Sequence, residues 1–283
     1  MLQWTADYLR QQGADSPRLD AEVLLAESLG CRRIELYTAF EDVPNEGQRA
    51  NFRELVRRRA EGMPVAYLVG RKEFYSLEFA VTPAVLIPRP ETELLVLTLV
   101  DLARAMPAGQ GLRIADVGTG SGIIAICAAK HLARSQVTAL DNSPAALEVA
   151  RRNVETHGVC SQVELLESDL LTAVESGPRF DFILSNPPYV KTSEWAGLPK
   201  DVREFEPRGA LVAGDRGTEV IEALVPQAVE RLRPGGSLLL EIGPATEEAA
   251  RAVLEAAPEL ELAPTIKDLA RLPRVLHARR ACS

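Results

Sequence analysis

From Leu112 onward the chain alternates short apolar, β-favouring runs with amphipathic stretches of about three turns, and this alternation constrains the fold most. The pattern predicts strands over 112–117, 137–140, 163–166, 180–184 and 237–242, and helices over 123–132, 143–158 and 218–232. Ser143 and Pro144 are a helix-opening pair, a hydroxyl cap followed by a proline whose missing N–H costs nothing at the first helical position. A long loop precedes the last helix, Pro234-Gly235-Gly236 reads as a turn, and 259–280 reads as a helix-free pair of strands, antiparallel in character. Repeated βα units imply an α/β fold, a mainly parallel sheet with helices on both faces. Right-handed crossovers then leave few topologies.

At 283 residues the chain suits two domains of about 100–200 residues each better than one core. The first 62 or so residues read as helices alone. One opens at Ser16-Pro17, draws its apolar face from Leu19, Val23, Leu24 and Leu29, and ends at Gly30. Another runs from Glu46 to Ala60 and stops at Gly62, with Pro64 beyond. Tyr67, Val69, Phe74, Tyr75, Leu77, Phe79 and Val81 form β-rich runs broken at Gly70-Arg71, the pattern of a hairpin. The prolines of 83–90 exclude regular helix. Helix resumes from Glu91 or Thr92 to Ala105, and Pro107-Ala108-Gly109 closes the linker. The expected division is a helical domain over 1–63, a hairpin and proline-rich linker over 64–90, and an α/β domain over 91–283.

A net charge of −8 argues against broad binding to phosphate backbones, and no direct nucleic-acid partner is expected. Arg53, Arg57, Arg58 and Arg59 form a local basic patch, either a partner contact or the solvated face of a helix buried through Phe52, Leu55 and Val56. The start has no basic segment followed by an apolar run, and no apolar stretch approaches the ~20 residues that span a bilayer. Four scattered cysteines without CxxC spacing, and few histidines, give no metal site or disulfide framework. A cytoplasmic monomer with no membrane partner is the expectation.

The residues that carry chemistry fall where strands end. Asp116-Val117-Gly118-Thr119-Gly120-Ser121-Gly122 joins the first strand of the alternation to its helix. Glycines there let backbone approach a ligand, and the helix start offers unpaired N–H groups. The spacing is GxGxG, and Ile123 stands where a dinucleotide loop wants glycine or alanine. No Gly-Lys-Ser/Thr follows, which excludes a Walker loop. A merely tight turn is the competing account. Asp141, with Asn142, ends the second strand at the distance where an acidic residue accepts from ribose hydroxyls, or else caps the following turn. Asp169 and Leu170 follow the third strand. Asn186-Pro187-Pro188-Tyr189 follows the fourth, a stiff corner bearing an amide and outward carbonyls, suited to gripping a planar NH2 group or simply ending a strand.

Together these features resemble an S-adenosylmethionine-dependent methyltransferase of the Rossmann-like class, and NPPY is shared by enzymes that methylate planar NH2 groups. Gly70-Arg71-Lys72-Glu73-Phe74-Tyr75, Leu86-Ile87-Pro88-Arg89-Pro90-Glu91-Thr92-Glu93 and Glu206-Pro207-Arg208-Gly209-Ala210-Leu211 narrow the resemblance to the release-factor glutamine methyltransferase family. The small helical N-terminal domain and the ending Asp268-Leu269-Ala270…Arg274-Val275 also fit. The likeness implies a Rossmann-like methyltransferase sheet behind a helical domain and a β-hairpin linker. It implies a methyl donor, S-adenosylmethionine, held by Asp116, Gly118, Thr119, Gly120, Ser121, Gly122, Asp141, Asn142, Asp169, Leu170 and Asn186. The acceptor it implies is the Gly-Gly-Gln glutamine of class 1 peptide chain release factors, with Asn186 and Pro187 catalytic, Pro188 in the substrate slot, and Tyr189 either walling that slot or packing in the core.

Phe74, Arg89, Pro90 and Glu91 either shape that slot or stiffen the linker, and the N-terminal helices either grip the release factor or support folding. Two positions depart from the family pattern: Leu170 stands where an aromatic is usual and Arg271 where glycine is expected. The enzymatic rival is an adenine or guanine amino-group methyltransferase, which would want a basic face. A catalytically idle cofactor-binding scaffold is the non-enzymatic one.

Overall fold

The computed structural model describes residues 1–37, 43–107, 111–177 and 179–282, so Ala108 and Gly109 of the expected linker lie outside the described residues. The chain forms two compact units, 1–71 with 198–205, and 72–197 with 206–283.

The first unit holds α1 (Leu2–Gln11), α2 (Pro17–Leu29), α3 (Glu46–Ala60), α4 (Val65–Val69) and, later in the chain, α8 (Lys200–Phe205). Leu9, Leu24, Phe52, Leu55 and Val56 form its core. Pro17 opens α2 as expected and Gly30 ends it at φ +67°, but Ser16 makes no side-chain cap bond. Leu19, expected on the apolar face, is exposed, while Ala21, Leu24 and Leu25 are buried. Two residues along a helix is a turn of about 200°, which puts Leu19 opposite the seam set by 21, 24 and 25. The segment 65–69 is a helical turn rather than a strand. Val65, Leu68 and Val69 all pack on the helical core, an i, i+3, i+4 pattern that outweighs their β propensity.

The second unit begins with β1 (Arg71–Phe74), whose first residue belongs to the first unit, paired with β2 (Leu77–Ala80). The hairpin turns at Tyr75-Ser76, both at positive φ, and not at Gly70-Arg71 as the sequence suggested. Gly70 instead closes α4 at φ +72°. The proline-rich stretch is non-helical until a short 3-10 turn over Pro90–Thr92 leads into α5 (Glu93–Arg104).

The βα alternation then follows: β3 (Leu112–Val117), α6 (Ile123–His131), β4 (Ser135–Asp141), α7 (Pro144–Thr156), β5 (Val163–Glu167) and β6 (Phe180–Ser185). The long loop after β6 contains β7 (Val190–Lys191) and β8 (Val212–Gly214), which pair in parallel. After it come α9 (Glu219–Arg231), β9 (Leu232–Glu241), α10 (Glu247–Glu255), β10 (Leu260–Leu262), β11 (Ile266–Lys267) and β12 (Pro273–Arg280). Pro234-Gly235-Gly236, expected as a turn ahead of the strand, lies within β9, whose pairing with β6 jumps from Leu232 to Ser237 across it. The sequence reading missed α10, and the tail holds three strands rather than two.

The strand order is β10-β12-β9-β6-β3-β4-β5, with β11 beside β12. The β9-β6-β3-β4-β5 block is parallel, and β12 joins it antiparallel. Chain direction across the sheet therefore reverses at β3: β4 and β5 extend one way, β6 and β9 the other. Such a switch point opens a crevice at the carboxyl ends of the strands. Apolar layers cover both faces, one including Leu99, Ile124, Ile126 and Phe182, the other Leu140, Ile183, Leu224 and Leu276.

Candidate active site

A cavity of about 520 Å³ occupies that crevice. Its floor is Val117–Ser121 after β3, its walls include Asp141–Ser143 after β4, Ser168–Leu170 after β5 and Ser185–Pro188 after β6, and Ala84–Leu86 with Pro88, Arg89 and Thr92 close one side. The size suits a nucleoside-sized ligand.

The glycine turn is built from below. Asp116 is fully buried, and its Oδ2 accepts from Thr119 Oγ1 at 2.6 Å and from the Ala125 amide at 3.1 Å. Its Oδ1 has no partner. Burial lifts its carboxyl to about 7, against the pull of those two donors and with a further push from Asp141. Asp116 and Gly122 do not line the cavity, so the structure gives neither the direct ligand contact expected of it. Gly122, at φ +84°, would place a Cβ 3.2 Å from Ile126 Cδ1 and 3.5 Å from Ala150, so it serves close packing of α6 on α7. Gly118, at φ +74°, faces the cavity with nothing within 4 Å of a Cβ, a cradle that any side chain would begin to fill.

Asp141 bridges both sides of the crevice. Its Oδ2 accepts from the Gly120 amide and its Oδ1 from the Ser143 amide, each at 2.9 Å. Each oxygen keeps a lone pair for a ligand hydroxyl. The cap reading and the ligand reading are thus compatible. Ser143 Oγ caps α7 by accepting from Ala146 N. Asn142, Asp169 and Leu170 line the cavity, and Leu170 sits at φ +52° with its side chain against the apolar layer.

Asn153, on α7, was not legible as a site residue. Buried to 1% exposure, it donates to the carbonyls of Ser121 and Ala80 and accepts from the Ala80 amide. It therefore ties the hairpin to the glycine turn. A lone Asn inside an amphipathic helix carries no sequence signal for that.

Asn186, Pro187 and Pro188 all line the cavity, and both peptide bonds are trans. Asn186 Nδ2 donates to Thr92 Oγ1 at 3.1 Å, which turns the amide oxygen the other way. Tyr189 lies outside the cavity lining, its ring 3.1 Å from where a Cβ on Gly243 would stand, and burial lifts its phenol to about 12. Of Phe74, Arg89, Pro90 and Glu91, only Arg89 lines the cavity. Phe74 is buried in the core against Phe79. Glu91 instead pairs with Arg274 at 3.5 Å, and Pro90 starts the short turn before α5. Phe74, Pro90 and Glu91 are therefore placed by packing and pairing rather than along the slot. Arg89 is closed onto the buried carboxylate of Glu206.

Two of the four arginines of the basic patch on α3 are spent in ion pairs inside their own unit. Arg57 pairs with Glu54 and Glu61, and Arg59 pairs with Asp20 at 2.7 Å.

This strand order, with a glycine turn after its first parallel strand and an acidic residue after the second, defines a Rossmann-like S-adenosylmethionine-dependent methyltransferase. Among solved structures, a methyltransferase from Pyrococcus furiosus shares the fold at 21% identity and TM-score 0.53, over 82% of this chain and 99% of that one. The ribosomal protein L11 methylase of Lactobacillus delbrueckii subsp. bulgaricus does so at 23% identity and TM-score 0.51, over 71% and 84%. Residues 1–70 match the family described as the PrmC N-terminal domain, and residues 92–198 the methyltransferase small domain. A release factor glutamine methyltransferase of Rhodopirellula baltica is 49% identical across 99% of this chain and 95% of that protein. One of Koribacter versatilis is 42% identical across 98% and 96%. The chain belongs to the release factor glutamine methyltransferase family. Among the described residues no helix is long and apolar enough to cross a membrane.

Proposed function

We propose that this chain methylates the side-chain amide nitrogen of the Gly-Gly-Gln glutamine in class 1 peptide chain release factors, as a cytoplasmic monomer, with S-adenosylmethionine as donor. The observation that carries this reading is the Asn186 amide at the cavity edge with its nitrogen committed to Thr92.

The residues present fit the donor. Asp141 offers acceptors to a ribose, the open face of Gly118 leaves room for a close approach, and Leu170 offers apolar contact where the family pattern has an aromatic. When bound, S-adenosylmethionine supplies an electrophilic methyl group. Gly118, Thr119, Gly120, Ser121, Asp141, Asn142, Asp169 and Leu170 are the residues proposed to hold it, with Asn186 at the junction with the substrate.

An amide nitrogen is a weak nucleophile because its lone pair is delocalised into the carbonyl. Asn186 Oδ1 and the Pro187 carbonyl each accept one hydrogen of the glutamine NH2, which orients the nitrogen and favours pyramidalisation. Both acceptors stabilise the positive charge that develops on it. Positioning and preorganised dipoles do the work, and no strong base is needed before transfer. Pro188 bounds the slot, and the Tyr189 ring fixes the end of the corner.

The test is transfer of labelled methyl to purified release factor, beside a Gly-Gly-Ala version and bare nucleic acid. Label on the intact factor alone is expected. Label on nucleic acid would overturn the substrate in favour of a base amino group. Asn186→Ala is expected to lower turnover about 10²–10³-fold while binding of S-adenosylhomocysteine changes little.

A further inference from the structure

Directly beneath the NPPY corner lies a carboxylate that the mechanism above does not use. Ser185 pairs with Leu240 across the parallel β6–β9 ladder, so the next register position sets Asn186 beside Glu241. Glu241 is 2% exposed. The polar side chains of Thr92 and Asn186 act on it, each favouring its ionised form, and its Oε2 has no hydrogen-bond partner. Thr92, Asn186 and Glu241 thus gather from three segments distant in the chain around the hydrogen bond from Asn186 Nδ2 to Thr92 Oγ1.

We infer that Glu241 is a positioning residue that selects which way the Asn186 amide faces, holding Nδ2 inward and Oδ1 toward the substrate. The argument is one of donor and acceptor inventory, and it rests on the proposed role of Asn186. An ionised carboxylate only accepts, whereas a side-chain amide can turn either its oxygen or its nitrogen to a neighbour. Thr92 alone does not decide between the two, because its hydroxyl donates as readily as it accepts. With Glu241 ionised, the flipped amide would set oxygen against carboxylate in a dry site, where an unpaired polar group is costly. The unflipped amide gives one hydrogen to Thr92, turns its NH2 edge toward Glu241 and leaves Oδ1 as its acceptor for the cavity.

A protonated Glu241 could donate to Asn186 Oδ1 and would lose this selectivity. Burial raises its carboxyl to about 7, with Glu91 adding to the rise and Thr92, Arg274 and Asn186 opposing it. The charged and titratable groups facing it are Glu91 on the turn before α5, Arg274 on β12 and Tyr189 after β6. Turnover should therefore fall on the acid side of neutrality.

The experiment is a double-mutant cycle of Glu241→Leu with Asn186→Ala, read as kcat at saturating donor and as S-adenosylhomocysteine affinity by calorimetry. Glu241→Leu is expected to lower kcat about 10–100-fold with affinity unchanged, and to add nothing once Asn186 is alanine. Glu241→Gln can still present an oxygen, so it should keep most of kcat and lose the acid limb. Equal effects of Glu241→Leu in both backgrounds, wild-type kcat in Glu241→Leu, or an acid limb that persists in Glu241→Gln would overturn the inference while leaving Asn186 in place. Full turnover in Asn186→Ala would overturn the acceptor role of Asn186 and this inference with it.

Discussion

The Arg89 guanidinium is closed onto the Glu206 carboxylate across 117 residues of sequence, and the same carboxylate accepts from the Ile87 amide at 3.2 Å. Two of the three motifs that narrowed the family resemblance therefore meet in one ion pair, which pins the proline-rich edge of the cavity. The pair is asymmetric: the Glu206 side chain is 1% exposed and that of Arg89 34%. Removing Arg89 strands a buried charge, whereas removing Glu206 leaves a cation that can reach water. Arg89→Ala should thus cost more stability than Glu206→Ala, about 3 kcal/mol against 1–2, with the double variant recovering part of the loss. Urea midpoints check the order, and the reverse order would deny the pair its role.

Gly118 and Gly122 share a loop and a positive φ but should fail differently on substitution. Alanine at Gly118 meets no protein atom, so only the left-handed backbone is strained, at about 1 kcal/mol. Its methyl group projects at the cavity floor, and donor affinity should drop further than stability. Alanine at Gly122 adds the approach to Ile126 and Ala150, so stability should fall by about 2–3 kcal/mol. Thermal unfolding and calorimetry on the two variants separate the effects.

Asp141→Ala removes one acceptor from each side of the crevice. The Gly120 and Ser143 amides lose their partner at the same time as the proposed ribose contact disappears. Donor affinity should fall by about tenfold or more, with a stability loss of about 1–2 kcal/mol. An unchanged dissociation constant by calorimetry would take Asp141 out of the ribose site.

The sequence was most legible where one local rule acted alone. The strand over 112–117, Pro17 and Pro144 at helix starts, and the glycine turn follow from period, cap chemistry and φ preference. Asn186 was legible as a corner because two prolines stiffen it. It was not legible that Thr92 and Glu241 set its amide, since those residues arrive from 94 residues upstream and from the neighbouring strand. Asn153 escaped for the same reason, its partners lying on the hairpin and the glycine turn. Phe74 and Glu91 sat in the right motifs, yet packing and the Arg274 pair claim their side chains. The turn over 65–69 was misread because β-branched residues were weighed above an i, i+3, i+4 spacing.

Arg271 turns a departure from the family pattern into a measurable strain. It sits at φ +63°, in the tight turn where its amide donates to the Asp268 carbonyl, and glycine is the residue expected there. Arg271→Gly should raise stability by about 0.5–1 kcal/mol, because glycine takes that backbone without the Cβ penalty. A lower melting temperature would show that the arginine side chain contributes more than the strain costs.

Stability itself should fall as pH rises through neutrality. Burial lifts Asp116 from 3.8 and Glu241 from 4.5, both to about 7 in the folded chain. A folded value above the unfolded one means that the fold favours the protonated form. That stabilisation is complete below the unfolded values and is lost as pH climbs through about 7. Each group accounts for roughly 3–5 kcal/mol over the whole span, taking about 1.4 kcal/mol per unit. His277 is pulled below 6.5 by burial and Arg279, so its linkage opposes the decline, equally in any variant that keeps it, across a window from about pH 5 to 8. Urea midpoints should decline across that window in the parent chain and decline less in Glu241→Gln, which cannot ionise. Midpoints rising across it, or an equal decline in both chains, would place the titration on other groups.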